Sequence, residues 1–278
     1  MAINNFRHGY ASVFFKSLKQ PSMLLKFLSK NSIKAELAFE YGFENYSISE
    51  HREFAKIILN ELPGAAIHLP YGSINPGRKD DDGQMLKKIT RALEIAFLYH
   101  PEHLVGHPNY DRVTDRAGVT GKFFGLKKTE LLGPAHRPSQ IFLERSITFW
   151  QKVLDSSPAK LYLENTYEHS PLPILTLIAS LGERVGYCLD IGHWYHFAMG
   201  RHWDNFKDWL DLAGDKVNHL HLHDNNGDSD QHIAVGDGLI DYPAVFTLIN
   251  QYCQSYTYTV ENYRLEDLKN SFKCLEII

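Results

Sequence analysis

Apolar residues fall along this chain in two alternating patterns. Short runs rich in β-branched and aromatic residues are separated by longer stretches whose apolar positions recur at helical spacing. The short runs are Phe6 to Ala11, Ile33 to Phe39, Ala65 to Leu69, His103 to His107, Lys160 to Glu164, Val185 to Asp190, Val217 to Leu222 and Thr257 to Glu261. The helix-type segments include Ser49 to Leu62, Asp82 to Tyr99, Ser139 to Asp155, Leu172 to Leu181, Trp203 to Leu212 and Tyr242 to Gln251. Strands alternating with helical crossovers predict a parallel sheet, and eight repeats of that unit predict a (β/α)8 barrel. A doubly wound open sheet would bring a Gly-rich phosphate loop after its first strand, and no such loop is present. At 278 residues the chain has the length that such a barrel fills as one domain, 1–278.

In such a barrel the working groups sit at the C-terminal ends of the strands. Strand three ends on His68, strand four on His107 and strand five on Glu164. Strand six ends on Asp190 with His193 just beyond, strand seven carries His221, and strand eight ends on Glu261. Each alone reads as a hydrogen-bonded rim residue; six successive strands finishing on a metal-competent side chain read as one site.

The densest segment is VNHLHLHDNNGDSDQHIAVGDGLIDY, in which His219, His221 and His223 share one face of a strand that runs into an acidic loop with Asp230 and His232. Imidazole nitrogens and carboxylate oxygens on fixed backbone are the donor set of a divalent-cation site. Strand period sets His219 deeper than His221 and puts His223 past the strand end, which gives these two supporting or substrate-facing roles. His100, His103 and His136 stand outside any motif and read as surface residues. Cys188, in an apolar strand, reads as a small packed hydrophobe.

Composition narrows the class. The net charge of −4 gives no electrostatic drive toward nucleic acid, and no stretch reaches the ~18 apolar residues of a membrane span. Three cysteines without CxxC spacing fit a reducing compartment, with the cytoplasm as the expected location.

The segments IHLPYGSINP, GHP, LYLENT, CLDIGH, HLHDNNGDSDQHIAVGDGLID and TVEN resemble the xylose isomerase-like barrels. That superfamily includes the endonuclease IV type of abasic-site nuclease and many sugar or sugar-phosphate isomerases and epimerases. The resemblance runs from Ile67 onward. It implies a four-ligand metal core on Glu164, Asp190, His221 and Glu261. The nuclease branch adds five further ligands, which match His68, His107, His193, Asp230 and His232. The implied activity is phosphoester hydrolysis with two or three zinc ions and with Glu164, Glu261 and His193 as the catalytic groups. The alternative it implies is an isomerase or epimerase, in which one divalent cation such as manganese fixes the substrate and two glutamates shuttle a proton. The chain departs from the nucleases in its first loop, YASVFFKSLKQ, and in the Ile-Gly-His-Trp-Tyr-His run after Asp190, so DNA-handling groups are not expected.

Substrate contacts are expected from Tyr71, His223, Arg112 and Arg116. The last two lie in a long strand-four loop, Asn109 to Arg137, where Arg112, Arg116, Lys122, Lys127, Lys128 and Arg137 face only Asp111, Asp115 and Glu130. A cationic loop at the working face, with Phe123 and Phe124 at its middle, reads as a lid over a small anionic, phosphorylated substrate.

Overall fold

The short apolar runs pair side by side in parallel, and the eighth closes onto the first. The structure, a computed structural model, describes residues 9–14, 22–39, 43–72, 74–80, 83–108, 140–166, 168, 170–197 and 203–276. The strands are β1 (Gly9–Phe14), β2 (Lys34–Ala38), β3 (Ala65–His68), β4 (His103–Gly106), β5 (Lys160–Glu164), β6 (Val185–Asp190), β7 (Val217–Leu222) and β8 (Thr257–Val260). They form a closed barrel in sequence order. Flanking helices are α1 (Ser22–Lys30), α2 (Ile48–Glu61), α3 (Gln84–Ala96), α4 (Gln140–Asp155), α5 (Leu172–Leu181), α6 (Ile191–Phe197), α7 (Trp203–Ala213), α8 (Tyr242–Tyr252) and α9 (Leu265–Cys274). None of the described helices is long and apolar enough to cross a membrane. The lid assigned to Asn109–Arg137 lies outside the described residues, as do Arg112, Arg116 and His136.

The first strand corrects the expected one. Among the described residues it runs on to Phe14 instead of ending at Ala11, because it pairs with β2 from Tyr10 to Phe14 and with β8 from Gly9 to Ala11. Periodicity does not fix the ends of a strand buried on both faces; the two partners do. The shift brings Phe14 to the mouth of the barrel.

The helices pack their apolar stripes on the outside of the barrel, where Leu28, Ile58, Ile89, Trp150, Leu177, Leu210, Ile249 and Phe272 are all buried. Close approach requires a glycine at Gly106 in β4. A Cβ there would stand 2.5 Å from Trp150 Cη2, so its absence lets the indole of α4 lie against the strand. Helix α2 starts on a complete capping box: Ser47 Oγ accepts from Glu50 N and Glu50 accepts from Ser47 N.

The barrel interior departs from the branched aliphatic layers common in this architecture. Strand alternation turns Tyr10, Glu36, His103, Tyr162, His219, His221 and Thr259 inward, and each but Tyr162 is nearly or fully buried. Rings of Tyr10, His103, Tyr162 and His219 pack against one another near the N-terminal ends, with His103 and His219 centroids 4.6 Å apart. His103 is therefore a core residue, not a surface one. The period-two position that carried it inward belonged to its own strand and was legible; the polar surroundings that make burial tolerable come from β1, β2 and β7.

Candidate metal centre

At the C-terminal ends of the strands, candidate donors from six of them gather around Glu164 and His221. Its Oε2 lies 3.0 Å from His68 Nε2, 2.9 Å from His107 Nε2 and 3.3 Å from His221 Nδ1. Its Oε1 lies 3.1 Å from His193 Nδ1. His221 Nδ1 also stands 3.7 Å from Asp190 Oδ2 and 3.7 Å from Glu261 Oε2. Beside this group His193 Nε2 and His232 Nε2 approach Asp230 Oδ2 at 3.1 and 3.2 Å. All nine ligand positions implied by the resemblance thus meet at one barrel mouth, and all but the partly exposed Asp230 are buried.

Two tests of fit for divalent cations come out in favour. Glu164 Oε1, Asp190 Oδ2, His221 Nδ1 and Asp230 Oδ1 are buried without an aligned hydrogen bond, which is costly unless something else satisfies them. Three histidines also spend one ring nitrogen on backbone and turn the other inward. His68 Nδ1 donates to Leu69 O at 3.0 Å, His193 Nδ1 to Asn165 O at 3.0 Å and His232 Nδ1 to Glu261 O at 3.0 Å. Such a bond fixes the tautomer and leaves Nε2 as a metal donor.

Charge in the cluster is coupled. Burial opposes the imidazolium of His68, but the Glu164 carboxylate outweighs it and raises His68 to about 9. His232 is likewise raised to about 9, burial being overcome by Asp230. Burial also opposes ionisation of Glu164 and Asp230; His107 and His221 pull the first well below the usual carboxylate range, and His193 the second.

Local sequence builds the frame. In each Glu-Asn pair the asparagine braces the strand end that the glutamate serves. Asn165 Oδ1 accepts from Asp190 N at 2.9 Å while its Nδ2 donates to Asp190 O at 2.9 Å, tying β5 to β6. Asn262 Nδ2 donates to His232 O at 3.0 Å and to Ile233 O at 2.8 Å, tying β8 to the acidic loop. That loop wraps around Asp224, whose carboxylate accepts from the backbone N–H groups of Asn225, Gly236 and Ile240. His232 takes a left-handed backbone conformation, φ 50°, which the loop imposes to aim the ring at the site.

The supporting residues sort by depth. His219 is fully buried, with its ring nitrogens 2.6 Å from Thr257 Oγ1 and 2.9 Å from Thr259 Oγ1, and does not reach the mouth. His223 lies just past β7, fully buried and stacked on His232 at 3.7 Å. Its Nε2 is 3.2 Å from Asp190 Oδ1, so it serves the ligands from behind and not the cleft expected for a substrate contact. Cys188 is buried, and that burial pushes its thiol well above the ordinary range.

Above the donors lies an open cleft of about 590 Å³ lined by Phe14, Tyr71, Thr166 and Tyr263 together with His68, His107, Glu164, His193, Asp230, His232 and Glu261. Tyr71 is at the cleft, stacked on His107 with ring centroids 4.5 Å apart. Phe14 and Tyr263, 5.6 Å apart, were not anticipated; Tyr263, two residues after Glu261, had a positional signal, whereas Phe14 depended on the corrected first strand. Glu36 was also missed, and its one signal was a lone carboxylate at an inward position of an apolar strand.

Known proteins bear the same architecture. A D-tagatose 3-epimerase-like protein superposes with a TM-score of 0.69 at 18% identity over 97% of this chain and 96% of that one. Endonuclease IV from Thermus thermophilus superposes with a TM-score of 0.61 at 16% identity over 97% of each chain. In sequence, an uncharacterized protein of Methanocaldococcus jannaschii, MJ1311, is 23% identical over 214 residues, 76% of this chain and 68% of its own length. The family model described as the xylose isomerase-like TIM barrel matches residues 35–276, and with the closed eight-stranded barrel and its convergent mouth, the chain belongs to that family.

Proposed function

We propose that this chain is a divalent-metal-dependent phosphoester hydrolase acting on a small anionic substrate. One observation carries the reading: His193, Asp230 and His232 form a donor group of their own beside the Glu164 group, with Asp230 Oδ2 within 3.2 Å of both imidazoles. A single cation does not need them, whereas in-line displacement at phosphorus uses clustered cations to hold both the attacking and the leaving oxygen. The nitrogen-rich donor set favours zinc over magnesium or calcium. Bound there, zinc supplies a Lewis acid for a phosphoryl oxygen and acidifies water toward a pKa of ~7.

The side chains divide the work. Glu164 turns Oε2 toward His68, His107 and His221 and Oε1 toward the Nδ1 edge of His193, so its carboxylate would help hold a cation at the first three. The carbonyl oxygens of Asn165 and Glu261 hold His193 and His232 so that neither ring must reorganise when a phosphate enters. Phe14, Tyr71 and Tyr263 offer ring faces and edges to an apolar or sugar part of the substrate. The likeness to endonuclease IV supports this chemistry at the level of the fold, without its DNA substrate.

A second reading, sugar epimerisation on one cation, is favoured by the enclosure of His221 Nδ1 by Glu164, Asp190 and Glu261 at 3.3 to 3.7 Å. In that chemistry the two glutamates would exchange a proton with a substrate carbon. Elemental analysis of protein purified without chelator separates the two. About two or three zinc ions per chain are expected for the hydrolase, with Asp230→Ala losing about one. A single ion, unaffected by Asp230→Ala, His68→Ala or His107→Ala, would sink the hydrolase reading and leave the epimerase.

A further inference from the structure

Beneath the metal centre lies a carboxylate that none of the nine ligand positions includes. Glu36, on β2, is fully buried at the centre of the barrel. Its Oε1 is 3.1 Å from His221 Nε2, and the opposite nitrogen of that ring, Nδ1, faces Glu164, Asp190 and Glu261. Neither Glu36 Oε1 nor His221 Nε2 has an aligned hydrogen bond among the described residues, and the 3.1 Å approach between them is a close ion-pair contact. Glu36 Oε2 is occupied separately, accepting from Thr259 Oγ1 at 2.7 Å and lying 3.3 Å from His219 Nε2 and 3.8 Å from His103 Nε2.

We propose that Glu36 is a positioning residue for the metal centre: its carboxylate, 3.1 Å from His221 Nε2, favours the ring proton on that nitrogen and so leaves Nδ1 to the cation. Among the candidate ligands, His68, His193 and His232 each spend Nδ1 on a backbone carbonyl. His221 is reversed, and among the described residues a buried carboxylate, not a carbonyl, faces its Nε2. A carboxylate partner also makes the imidazole a stronger donor than a carbonyl does, and losing such a partner typically weakens metal binding by about 10–100-fold. Glu36, His103 and His219 are themselves spaced closely enough to suggest a cation between them. They are better read as the socket of the carboxylate, because both nitrogens of His219 already meet threonine hydroxyls. Thr259 and His219 thus hold Glu36 at one oxygen so that the other stays under His221.

This inference rests on the metal-centre reading, and its test separates the two. Zinc affinity is measured by chelator competition, and the visible spectrum of the Co²⁺-loaded protein is recorded, for wild type, Glu36→Gln, Glu36→Ala, His221→Ala and the Glu36→Ala/His221→Ala double variant. Thermal midpoints of the metal-free proteins report folding independently. The expected result is a loss of zinc affinity at one site of about 10–100-fold in Glu36→Ala, with a shifted Co²⁺ spectrum and partial rescue in Glu36→Gln, which keeps an acceptor oxygen without the charge. The double variant should bind no more weakly than His221→Ala, since the two act through one ring. If Glu36→Ala lowers the metal-free thermal midpoint but leaves affinity and spectrum unchanged, Glu36 is merely structural and the proposal falls. Additive losses in the double variant overturn it equally. A wild-type protein that binds no zinc at all overturns the metal-centre reading itself, and this inference with it.

Discussion

At the scale of the residue, Glu164 has the most at stake, since both its oxygens are engaged by imidazoles from four strands or their ends. Glu164→Gln keeps the shape but removes the charge. It should bind fewer zinc ions than wild type and lose at least about 100-fold in kcat/KM on a phosphoester substrate, as read by elemental analysis and steady-state kinetics. The residue types and strand-end positions of the nine ligand candidates were legible because a period of two and a strand end are properties of a short segment. Which nitrogen each histidine turns inward was not. That choice depends on Leu69 O, Asn165 O, Glu261 O and Glu36, three of which are reached only across the barrel.

At the scale of the element, α2 makes two checkable claims. Its capping box satisfies orphan N–H groups at the first turn, so Ser47→Ala should cost about 0.5–2 kcal/mol in urea denaturation. His51, on the same helix, is buried with Nε2 donating to Phe43 O at 2.9 Å, which leaves Nδ1 to accept from Tyr99 Oη at 3.1 Å. The bond accepted from Tyr99 requires the neutral ring, and burial lowers its pKa below 6.5. The folded state therefore binds the proton less readily than the unfolded chain. Stability from this group is full above about pH 6.5 and declines as the pH falls below it toward the folded value. Wild type should lose more stability on acidification than His51→Gln when both are followed by denaturation across that range; equal losses would count against the assignment. Helical spacing foresaw α2 to within a residue at each end, while α1, α6 and α9 lie outside the segments named from the sequence. Of these, α6 is only seven residues long, too few for a periodic signal.

At the scale of the whole molecule, the barrel gathers buried carboxylates and imidazoles that repel within each kind, and cations would relieve both. Removal of metal by a chelator should lower the thermal midpoint. A site at 100-fold saturation contributes about 2.7 kcal/mol, or roughly 5–10 °C for a chain of this size, recoverable on adding zinc. An unchanged midpoint would mean that the folded and unfolded chains bind metal alike. By itself the sequence determined the architecture, because eight apolar runs spaced by helices leave few ways to bury both faces of a sheet. It also placed carboxylates and imidazoles at the strand ends. The tertiary structure decided the rest: that β1 runs on to Phe14, that His103 lies inside and His223 behind the candidate ligands, and that Glu36 stands under His221. The physical reason is common to these. Each depends on what the closed barrel places across its axis, between residues as far apart in sequence as Glu36 and Thr259. No local pattern of apolar and polar positions records such a distance.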